Sequence, residues 1–553
     1  MSEKPATQRM STADAVVGSL LANGIDKIFC LPGVQNDVLF AAFHDAQDRL
    51  RVIHTRHEQG AAYMALGAAM ATGKPQAYAV VPGPGFLNST GALCTAYACN
   101  APVLALTGQI PQALIGRNLG MLHELPDQLG VMQRLAKWAE RIRSVNDAPA
   151  IMNEAFRQLR SGRPRPVALE CPLDVWGRQA DLPAPVRVEG DVAPIDSDAV
   201  ERAAKLLGAA KHPLIVIGGG AMEAGAELLE LAQMLQAPIG HHRSGIGAFD
   251  GRNPWSVSVL PQQKLWADAD VVLAVGTRLQ IQQMNFGVDP GLTIIRIDAD
   301  PEEIDRIRRP AVGIIGGAAP VLRALIDALP KHNQKREPRR DQVAALKAEF
   351  RADAQQRFAP QAAYIAALRA ELPENGILVD EVTQIGHVIR LFWEAYAPRT
   401  FLTPAYQGTL GWGVATALGA KAARPDLPVV CIAGDGGFMF NVQELASAVR
   451  HNLAVTFVVF NDDAFGNVRR SQKEDYGNRV IGSDLANPDF MKLAESFGIA
   501  HERAASAEAL RPALRRAIAS NAPVLIECPV GEMPNPFGLL RFATPVRPKP
   551  RNG

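Results

Sequence analysis

The sequence predicts an α/β fold with three doubly wound parallel-sheet domains. Short apolar segments of strand length alternate with helix-length segments along almost the whole chain of 553 residues. This alternation is typical of parallel sheets that carry helices on both faces. A chain of this length also exceeds one ordinary hydrophobic core and, at about 150 residues per domain, fits three domains. The segments predicted as strands are residues 77–81, 103–106, 214–217, 271–275, 294–297, 429–433 and 456–460.

Two polar stretches predict where one domain ends and the next begins. Residues 183–196 begin with a Pro-Ala-Pro sequence, and residues 331–340 carry a dense mixture of charged side chains. Segments of this kind are typical of exposed connections between domains. The expected divisions are domains at residues 1–182, 190–330 and 345–535, followed by a C-terminal tail at residues 536–553.

The first and third domains end in similar sequences. Residues 166–173 read Pro-Val-Ala-Leu-Glu-Cys-Pro-Leu, and residues 523–530 read Pro-Val-Leu-Ile-Glu-Cys-Pro-Val. A match of this length can arise by chance. The alternative is that the two segments are an internal repeat, which indicates that the outer two domains are copies of one α/β unit around a different middle domain.

Composition and charge argue against several classes of protein. The formal net charge is +1, so no overall field attracts nucleic acid or an anionic membrane. No apolar run approaches the ~18 residues that span a bilayer, and residues 1–12 lack the apolar core of a signal peptide. Six cysteines without a C-x-x-C spacing argue against zinc and against a redox dithiol. We expect a cytoplasmic protein with buried, reduced thiols and with no nucleic-acid or membrane partner.

The C-terminal tail is short, basic and rich in proline. A segment of this kind is more often a solvated chain end than a binding patch, so we expect it to be exposed. Its basic residues are Arg541, Arg547, Lys549 and Arg551.

A glycine-rich acidic motif in the third domain predicts a metal–diphosphate site. The strand 429–433 is followed directly by Gly434, Asp435, Gly436 and Gly437. The strand 456–460 is followed by Asp462, and a predicted helix at 441–450 joins the two strands. Open α/β sheets bind ligands at the carboxyl ends of their strands, where glycines admit phosphate and carboxylates suit Mg²⁺. The Gly-Asp-Gly sequence alone also fits a tight turn, and the second acidic group favours the metal site.

An acidic residue opens a predicted helix in the first domain. Glu58 follows the predicted strand 51–55 and precedes an alanine-rich segment. An acid in the first turn often complements the helix dipole, which is a purely structural reason for its presence. A catalytic role is the alternative.

Together these segments resemble the thiamine-diphosphate (ThDP) enzymes, in which Gly-Asp-Gly is followed one crossover later by Asn-Asn or a variant. The resemblance covers nearly the whole chain. It implies a first domain that binds the pyrimidine, a Rossmann-like middle domain and a third domain that binds the diphosphate. It also implies Mg²⁺ ligands at Asp435, at Asp462 and at the carbonyl of Ala464. Because the family usually has Asn at the second position, Asn461 is the alternative to Asp462.

The resemblance further implies the remaining contacts to ThDP and the acid that activates it. Glu58 would hydrogen-bond N1′ of the aminopyrimidine and stabilise its imino tautomer, which then removes the proton from C2 of the thiazolium. Leu410 would be the bulky residue that holds ThDP in its bent conformation. The other implied contacts are Gly33, Pro84, Asn88, Thr383, Gln384, Gly408, Gly434, Gly436 and Gly437.

Within this family the sequence resembles the large subunit of acetolactate synthase, with departures at positions that set specificity. Gln109, His123 and Glu124 are expected at the catalytic face, although Glu124 also fits the first turn of a helix. Ser471 stands where the synthase has a Trp that shapes its acceptor pocket. Residues 278–282 replace a charged Arg-Phe-Asp-Asp-Arg stretch, so we expect no requirement for FAD.

We therefore predict decarboxylation of a small 2-oxo acid followed by ligation to a second carbonyl compound, as in acetolactate synthase. The alternative within the same chemistry is a decarboxylase or lyase of the benzoylformate type, which Ser471 would suit. A nucleotide-dependent oxidoreductase built on residues 214–220 is disfavoured, because residues 218–223 lack the third glycine of the dinucleotide fingerprint and no suitable acid follows at the expected distance. Glu58 argues against a non-catalytic binding protein. In the family two subunits meet around each cofactor, so a homodimer or homotetramer is expected.

Overall fold

The computed structural model describes residues 7–547, which contain three six-stranded sheets with parallel strands. Each apolar segment predicted as a strand coincides with one of these strands. Runs of this kind are buried on both faces of a parallel sheet, which is why they contain so few polar side chains. The predicted α/β fold with three parallel-sheet domains is therefore confirmed.

The first and third sheets have the same strand order. Numbered along the chain within each domain, their strands lie in the order 2-1-3-4-6-5. From edge to edge, the first sheet consists of Arg51–His54, Lys27–Cys30, Gln76–Val80, Val103–Gln109, Val167–Pro172 and Trp138–Arg141. The third consists of Phe401–Leu402, Ile377–Asp380, Val429–Gly434, Val455–Asn461, Val524–Pro529 and Ala500–Arg503. The similar segments 166–173 and 523–530 occupy the same place in both sheets, which supports a common origin of the outer domains.

The middle sheet has a different strand order, 3-2-1-4-5-6, which is the doubly wound order of dinucleotide-binding domains. From edge to edge its strands are Ser256–Val257, Ile239–His241, Pro213–Ile217, Val271–Val275, Thr293–Asp298 and Val312–Ile315. A separate antiparallel pair, Thr7–Ser11 with Gln179–Pro183, ties the beginning of the first domain to its end. The alternation of strands and helices gave no sign of this pair.

Helices separate the strands in every domain. Those of the first domain are Thr12–Ala22, Asp37–Asp45, Glu58–Thr72, Pro84–Cys99, Gln128–Leu135, Ala148–Arg160 and Leu173–Trp176. Those of the middle domain are Ser197–Ala209, Gly225–Leu235, Val259–Asp268, Pro301–Ile304 and Ala318–Ala328. The others are Arg340–Arg357, Ala359–Glu371, Gly386–Phe392, Gly413–Ala423, Asp435–Phe438, Leu445–Arg450, Gly466–Glu474, Phe490–Ser496, Ala507–Ser520 and Phe537–Leu540. The proposed third-domain boundary at residue 345 falls within the helix Arg340–Arg357.

The helix predicted at 441–450 is in fact two short helices. A 3₁₀ helix, Met439–Glu444, precedes the α-helix Leu445–Arg450. The backbone departs from helical geometry at Asn441, whose side-chain amide donates a hydrogen bond to the carbonyl of Gly411. This contact with another loop holds Asn441, the first residue of the predicted helix, out of helical geometry.

The first and third domains meet through two helices that cross at backbone contact distance. In the helix Glu58–Thr72, a Cβ atom added to Gly67 would lie 1.9 Å from the carbonyl oxygen of Thr416. In the helix Gly413–Ala423, one added to Gly419 would lie 1.9 Å from that of Met64. Glycine is therefore needed at both positions because no side chain fits between the backbones.

The expectation of a solvated C-terminal tail is wrong at Arg547. Arg547 is buried against the middle domain, where its guanidinium donates to the carbonyls of Trp266 and Ala267 at 2.9 Å each. It also forms an ion pair with Asp289 at 2.7 Å. Arg541 is exposed, as expected, and Lys549 and Arg551 lie outside the described residues. The tail is held because several carbonyl acceptors converge on one planar donor group.

The structure also bears on the thiols and on membrane spans. Cys30, Cys171, Cys431 and Cys528 are buried, and Cys94 and Cys99 are half-buried; all six are free thiols. Across residues 7–547, every helix is too short or too polar to cross a membrane.

Candidate active site

Asp435 and Asp462 lie near each other at the carboxyl edge of the third sheet. Their strands, Val429–Gly434 and Val455–Asn461, are parallel neighbours, so the residues that follow them reach the same edge. Burial, and then the neighbouring Asp435 carboxylate, raise the pKa of Asp462 to about 7. Asp462 and Asp435 therefore form an oxygen-rich pair whose negative charge a divalent cation would neutralise.

An amide that the sequence did not mark bridges this site. Asn487 Nδ2 donates to Asp435 Oδ2 at 2.6 Å, to Asn461 Oδ1 at 3.0 Å and to Asp463 Oδ1 at 3.0 Å. Asn487 lies in a loop before the helix Phe490–Ser496, far along the chain from the Gly-Asp-Gly motif. No local pattern distinguishes it from any other loop asparagine.

The side chains of Asn461 and Asp462 point to different partners. Asn461 Nδ2 donates to Glu527 Oε1 at 3.0 Å, whereas Asp462 Oδ2 accepts from Gln384 Nε2 at 2.8 Å. Within residues 7–547, no group of three or more His, Cys, Asp and Glu side chains converges to hold a metal. A pair of carboxylates still fits Mg²⁺ that shares its oxygens with phosphate, since one or two protein carboxylates then suffice.

The glycine backbone beside these carboxylates, here called the cradle, packs so closely on its neighbours that no side chain fits. A Cβ atom on Gly436 would lie 2.6 Å from the ring of Phe465, and one on Gly437 would lie 1.8 Å from Glu381 Oε1. Ala464 follows the strand Val455–Asn461 and forms an isolated antiparallel β-bridge with Asp484. The close approach leaves the peptide groups themselves as the surface that a phosphate would meet.

Thr383 and Gln384 border the same cradle. Thr383 is buried, with its methyl group 3.8 Å from the position of a Cβ on Gly434. Its hydroxyl oxygen accepts from the backbone N–H of Gly386 at 3.0 Å. Gln384 Oε1 accepts from Met533 N at 2.8 Å, so Gln384 joins the Asp462 carboxylate to the segment that follows the strand Val524–Pro529.

Glu58 is the first residue of the helix Glu58–Thr72. His57 caps this helix, because its Nδ1 accepts a hydrogen bond from Gln59 N at 3.2 Å. The Glu58 carboxylate accepts from Asn88 Nδ2 at 3.0 Å. The carboxylate is held on one side and is only half-buried, so a ligand can approach it.

The first turn of the helix Pro84–Cys99 lies against Glu58. A Cβ atom on Gly85 would be 3.4 Å from Glu58 Oε1 and 2.6 Å from Val81. A Cβ atom on Gly33 would be 2.4 Å from the same valine side chain. The structure therefore brings Gly33, Pro84 and Asn88 to the neighbourhood of Glu58.

The loop that carries His123 and Glu124 packs on this turn. A Cβ atom on Gly83 would lie 2.5 Å from the carbonyl oxygen of His123. His123 Nδ1 hydrogen-bonds with Gln35 Oε1 at 3.0 Å. Glu124 Oε2 accepts from Met121 N at 2.9 Å, while Glu124 Oε1 is shielded from solvent and has no hydrogen-bond partner within the described chain. A buried carboxylate oxygen normally has a hydrogen-bond partner, so this one stands out among the residues of the site.

Gln109 differs from the other expected catalytic residues. Its side chain is buried at the end of the strand Val103–Gln109, where its amide donates to Glu170 at 3.2 Å and accepts from Ile110 N at 2.7 Å. Gln128 joins the same buried group, donating to Glu170 at 2.8 Å and accepting from Gly83 N at 2.9 Å. Gln109 is therefore linked to Gly83 indirectly, through Glu170 and Gln128.

A buried acid holds the loop that carries Leu410. Glu381 accepts hydrogen bonds from Gly411 N at 2.8 Å and Gly413 N at 3.0 Å, and burial raises its pKa to about 7. Gly408 has φ +56°, a left-handed conformation that favours glycine, and Leu410 is half-buried. In the sequence, only its position directly after the strand Ile377–Asp380 could have indicated a role for Glu381 in the site.

A large cavity of about 660 Å³ lies apart from these residues, where the middle domain faces the other two. Neither Glu58 nor Asp435 lines it. Its walls include Gly218, Arg243, Arg278, Arg390 and Tyr406. This is the groove to which the expectation about FAD applies.

Known families match all three parts of the chain. Residues 10–131 match the family described as thiamine pyrophosphate enzyme, N-terminal TPP binding domain. Residues 200–325 match the central domain of these enzymes, and residues 381–528 match their C-terminal TPP binding domain. The three matches together cover well over half of the sequence.

Curated relatives match over almost the full chain. A Pseudomonas aeruginosa protein named "Probable 2-ketoarginine decarboxylase AruI" is 33% identical, with 94% of each chain covered. A "Probable acetolactate synthase large subunit" of Methanocaldococcus jannaschii is 32% identical, covering 98% of this chain and 96% of its own. The acetolactate synthase isozyme 2 large subunit of Escherichia coli is 31% identical over 96% and 97%.

Proposed function

This chain belongs to the thiamine pyrophosphate enzyme family, and we propose that it decarboxylates a small 2-oxo acid and joins the remaining fragment to a second carbonyl compound. The broader activity, ThDP-dependent decarboxylation or carboligation of a 2-oxo acid, follows from its three domains and its relatives. The observation that carries the proposal is the pair Asp435 and Asp462 beside the glycine cradle.

The third domain would hold the metal and the diphosphate. Asp435, Asp462 and the carbonyl oxygen of Ala464 are the proposed Mg²⁺ ligands, and the effect of the Asp435 carboxylate on Asp462 supports Asp462 as the second ligand. Asn461 remains the alternative, because its Oδ1 accepts from the same Asn487 amide as Asp435. ThDP, when bound, supplies the electron sink for the bond that breaks as carbon dioxide leaves. The proposed contacts to its diphosphate are Thr383, Gln384, Gly434, Gly436 and Gly437.

The first domain would hold and activate the pyrimidine. Glu58 is proposed to share a proton with N1′ of the pyrimidine, and the hydrogen bond from Asn88 keeps its carboxylate in one orientation. Gly33 and Pro84 border the same space. Gly408 and Leu410 would meet the pyrimidine from the third domain, on the loop that Glu381 holds in place.

His123 and Glu124 would act on the substrate. The contact of the His123 backbone carbonyl with Gly83, close to Gly85 and Glu58, supports a place for this loop beside the substrate. Each can move a proton or accept a hydrogen bond. Gln109 is proposed as an indirect contributor, because its amide is engaged with Glu170.

A simple decarboxylase for a 2-oxo acid with a cationic end is the second candidate. The shielded, unpartnered Oε1 of Glu124 would suit a donor group on the substrate, and Ser471 leaves more space than a Trp. The similarity to a protein named as a 2-ketoarginine decarboxylase favours the same substrate class. The outcome depends on whether a second carbonyl compound or a proton reaches the decarboxylated fragment first.

We also propose that the working unit is a homodimer or a homotetramer, with cofactor sites between subunits. Large apolar side chains are exposed around the expected site: Leu119 is 56% exposed, Leu122 64% and Phe440 49%. Exposed apolar side chains in both halves of the expected site are consistent with surfaces that another subunit covers.

Product analysis tests the proposed reaction. The purified enzyme with ThDP and Mg²⁺ is incubated with pyruvate alone, with pyruvate plus a second 2-oxo acid or an aldehyde, and with 2-ketoarginine. Formation of a ligated hydroxyketone or hydroxy-oxo acid is expected. Release of carbon dioxide and an aldehyde alone from every mixture would refute the carboligation and leave the decarboxylase.

A further inference from the structure

Glu444 belongs to the third domain, but its carboxylate binds the backbone of the first. It is the last residue of the 3₁₀ helix Met439–Glu444, which begins directly after the helix Asp435–Phe438. Glu444 Oε1 accepts from the backbone N–H groups of Arg56 and His57, each at 3.1 Å. These are the two residues immediately before Glu58.

Burial and hydrogen bonds to both of its oxygens hold the Glu444 carboxylate in one position. Its side chain is fully buried, and its second oxygen accepts from Ser447 Oγ and, at 3.2 Å, from Arg56 N. On the first-domain side, a Cβ atom on Gly60 would lie 2.4 Å from Glu444 Oε1, so the helix backbone itself contacts the carboxylate. Burial raises the pKa of Glu444, and the hydrogen bonds from Ser447 and from the two peptide groups oppose that rise.

We propose that Glu444 is a positioning residue that fixes Glu58 for its role in activating ThDP. The two peptide groups bound by Glu444 set the direction in which the chain enters the helix at Glu58. Asn88 holds the Glu58 side chain, whereas Glu444 holds the backbone that carries it. Displacements of about 1 Å at a reacting group can cost 10²-fold in rate, so this anchor acts on catalysis without touching the cofactor. The inference rests on the proposed role of Glu58.

A purely structural role predicts a different outcome. If Glu444 only joined two domains, its loss would lower the thermal stability while any folded enzyme kept its normal activation of ThDP. If Glu444 positions Glu58, the folded enzyme activates ThDP more slowly. The two roles therefore separate in measurements on folded protein at saturating ThDP.

The test compares four variants in the full-length protein. Glu444→Ala removes the anchor, Glu444→Asp shortens it by one methylene, and Glu444→Gln keeps one acceptor oxygen. Ser447→Ala is the matched control, because it removes a hydroxyl donor and leaves the bonds to the Arg56 and His57 backbone. The measurements are deuterium exchange at C2 of bound ThDP, ThDP affinity, and amide hydrogen exchange of residues 56–58 in protein without ThDP.

We expect Glu444→Ala and Glu444→Asp to slow C2 exchange by about 10- to 100-fold. Amide protection at residues 56 and 57 should fall in both variants, while ThDP affinity stays at the wild-type value. Glu444→Gln should recover most of the exchange rate, and Ser447→Ala should match the wild type. Glu444→Asp decides the matter if Glu444→Ala does not fold.

A double variant separates failure of this inference from failure of the proposed function. Because Glu444 acts through Glu58, Glu444→Asp should cause no further loss when added to Glu58→Gln. Normal C2 exchange in Glu58→Gln itself would contradict the role of Glu58. Slow exchange in Glu58→Gln together with wild-type exchange in Glu444→Asp would overturn the positioning role alone.

Discussion

At the scale of single residues, Glu58 is expected to act through the proton it can carry. Glu58→Gln keeps the size of the side chain and still accepts the hydrogen bond from Asn88, so the fold and ThDP affinity should be nearly unchanged. The amide cannot share a proton with N1′, and C2–H exchange should slow by ~10²–10⁴-fold. Deuterium exchange followed by NMR measures this rate. An unchanged rate would remove Glu58 from the mechanism.

The two carboxylates of the metal site should respond differently to substitution. Asp435→Ala removes a proposed ligand of the diphosphate-bridging ion and should abolish Mg²⁺-dependent retention of ThDP. Asp462→Asn should be tolerated, because an amide oxygen can still bind Mg²⁺ and the repulsion from Asp435 disappears. Titration calorimetry with and without Mg²⁺ compares the two. Lost binding in Asp462→Asn beside normal binding in Asn461→Ala would contradict the expected tolerance.

At the scale of secondary-structure elements, the crossing of the first and third domains depends on glycine. Gly419→Ala would place a Cβ atom 1.9 Å from the Met64 carbonyl, so the helices must separate. A loss of stability of about 1–3 kcal/mol is expected from such overpacking. Thermal unfolding of the full chain measures it.

The same substitution at Gly91 provides the control for that prediction. Gly91 lies in the helix Pro84–Cys99, and a Cβ atom there would have nothing within 4 Å. Gly91→Ala should leave the stability unchanged or raise it by up to about 1 kcal/mol, since alanine favours the helix. Equal melting temperatures for the two variants would show that the close crossing does not matter to stability.

Elements were predicted correctly where local pattern decides their structure. The strands Val271–Val275 and Val429–Gly434 are runs of apolar residues, and burial on both faces requires such runs whatever surrounds them. The helix predicted at 441–450 is present, but it begins as a 3₁₀ helix, and its first residue, Asn441, leaves helical geometry where it bonds to Gly411. Local propensity is weak beside a buried hydrogen bond of this kind.

At the scale of the whole molecule, the proposed sharing of cofactor sites between subunits predicts complementation. Glu58→Gln and Asp435→Ala chains are each expected to be inactive alone. In a mixed dimer, one of the two sites would combine an intact Glu58 from one chain with an intact Asp435 from the other. Activity should therefore return on mixing and subunit exchange, as an assay of product formation would show. Mixtures that remain inactive although mixed dimers have formed would place each site within one chain.

We expect the enzyme to be active without FAD in the groove of the middle domain. In the replaced stretch 278–282, the Arg278 guanidinium lies 4.2 Å from the centre of the Tyr406 ring, and Gln282 Nε2 donates to Gln262 Oε1 at 3.0 Å. These polar groups are engaged by the protein itself, and a dinucleotide needs many placed polar contacts. An absorbance spectrum of freshly purified protein tests this. A stoichiometric flavin band whose removal stops turnover would contradict the prediction.

The sequence by itself determined the fold class and the principal chemical groups of the proposed site. Glycines, a carboxylate and the end of an apolar strand are adjacent in the chain, so the local sequence was enough to predict Asp435 and the glycines beside it. The parallel sheet then places Asp462 at the same edge, because neighbouring strands end together. Glu58 was marked in the same way by its place between a strand and a helix.

Only the tertiary structure decided which residues hold these groups in position. Glu444 binds backbone 388 residues away, Glu381 reaches the loop of Leu410, and Asn487 bridges two strand ends. Arg547 crosses from the tail to the middle domain, which made the expectation of a solvated end wrong. Each contact depends on how separate segments or domains dock. The packing determines which hydrogen-bond partner a buried polar side chain has, and the residues next to it in the sequence do not indicate that partner.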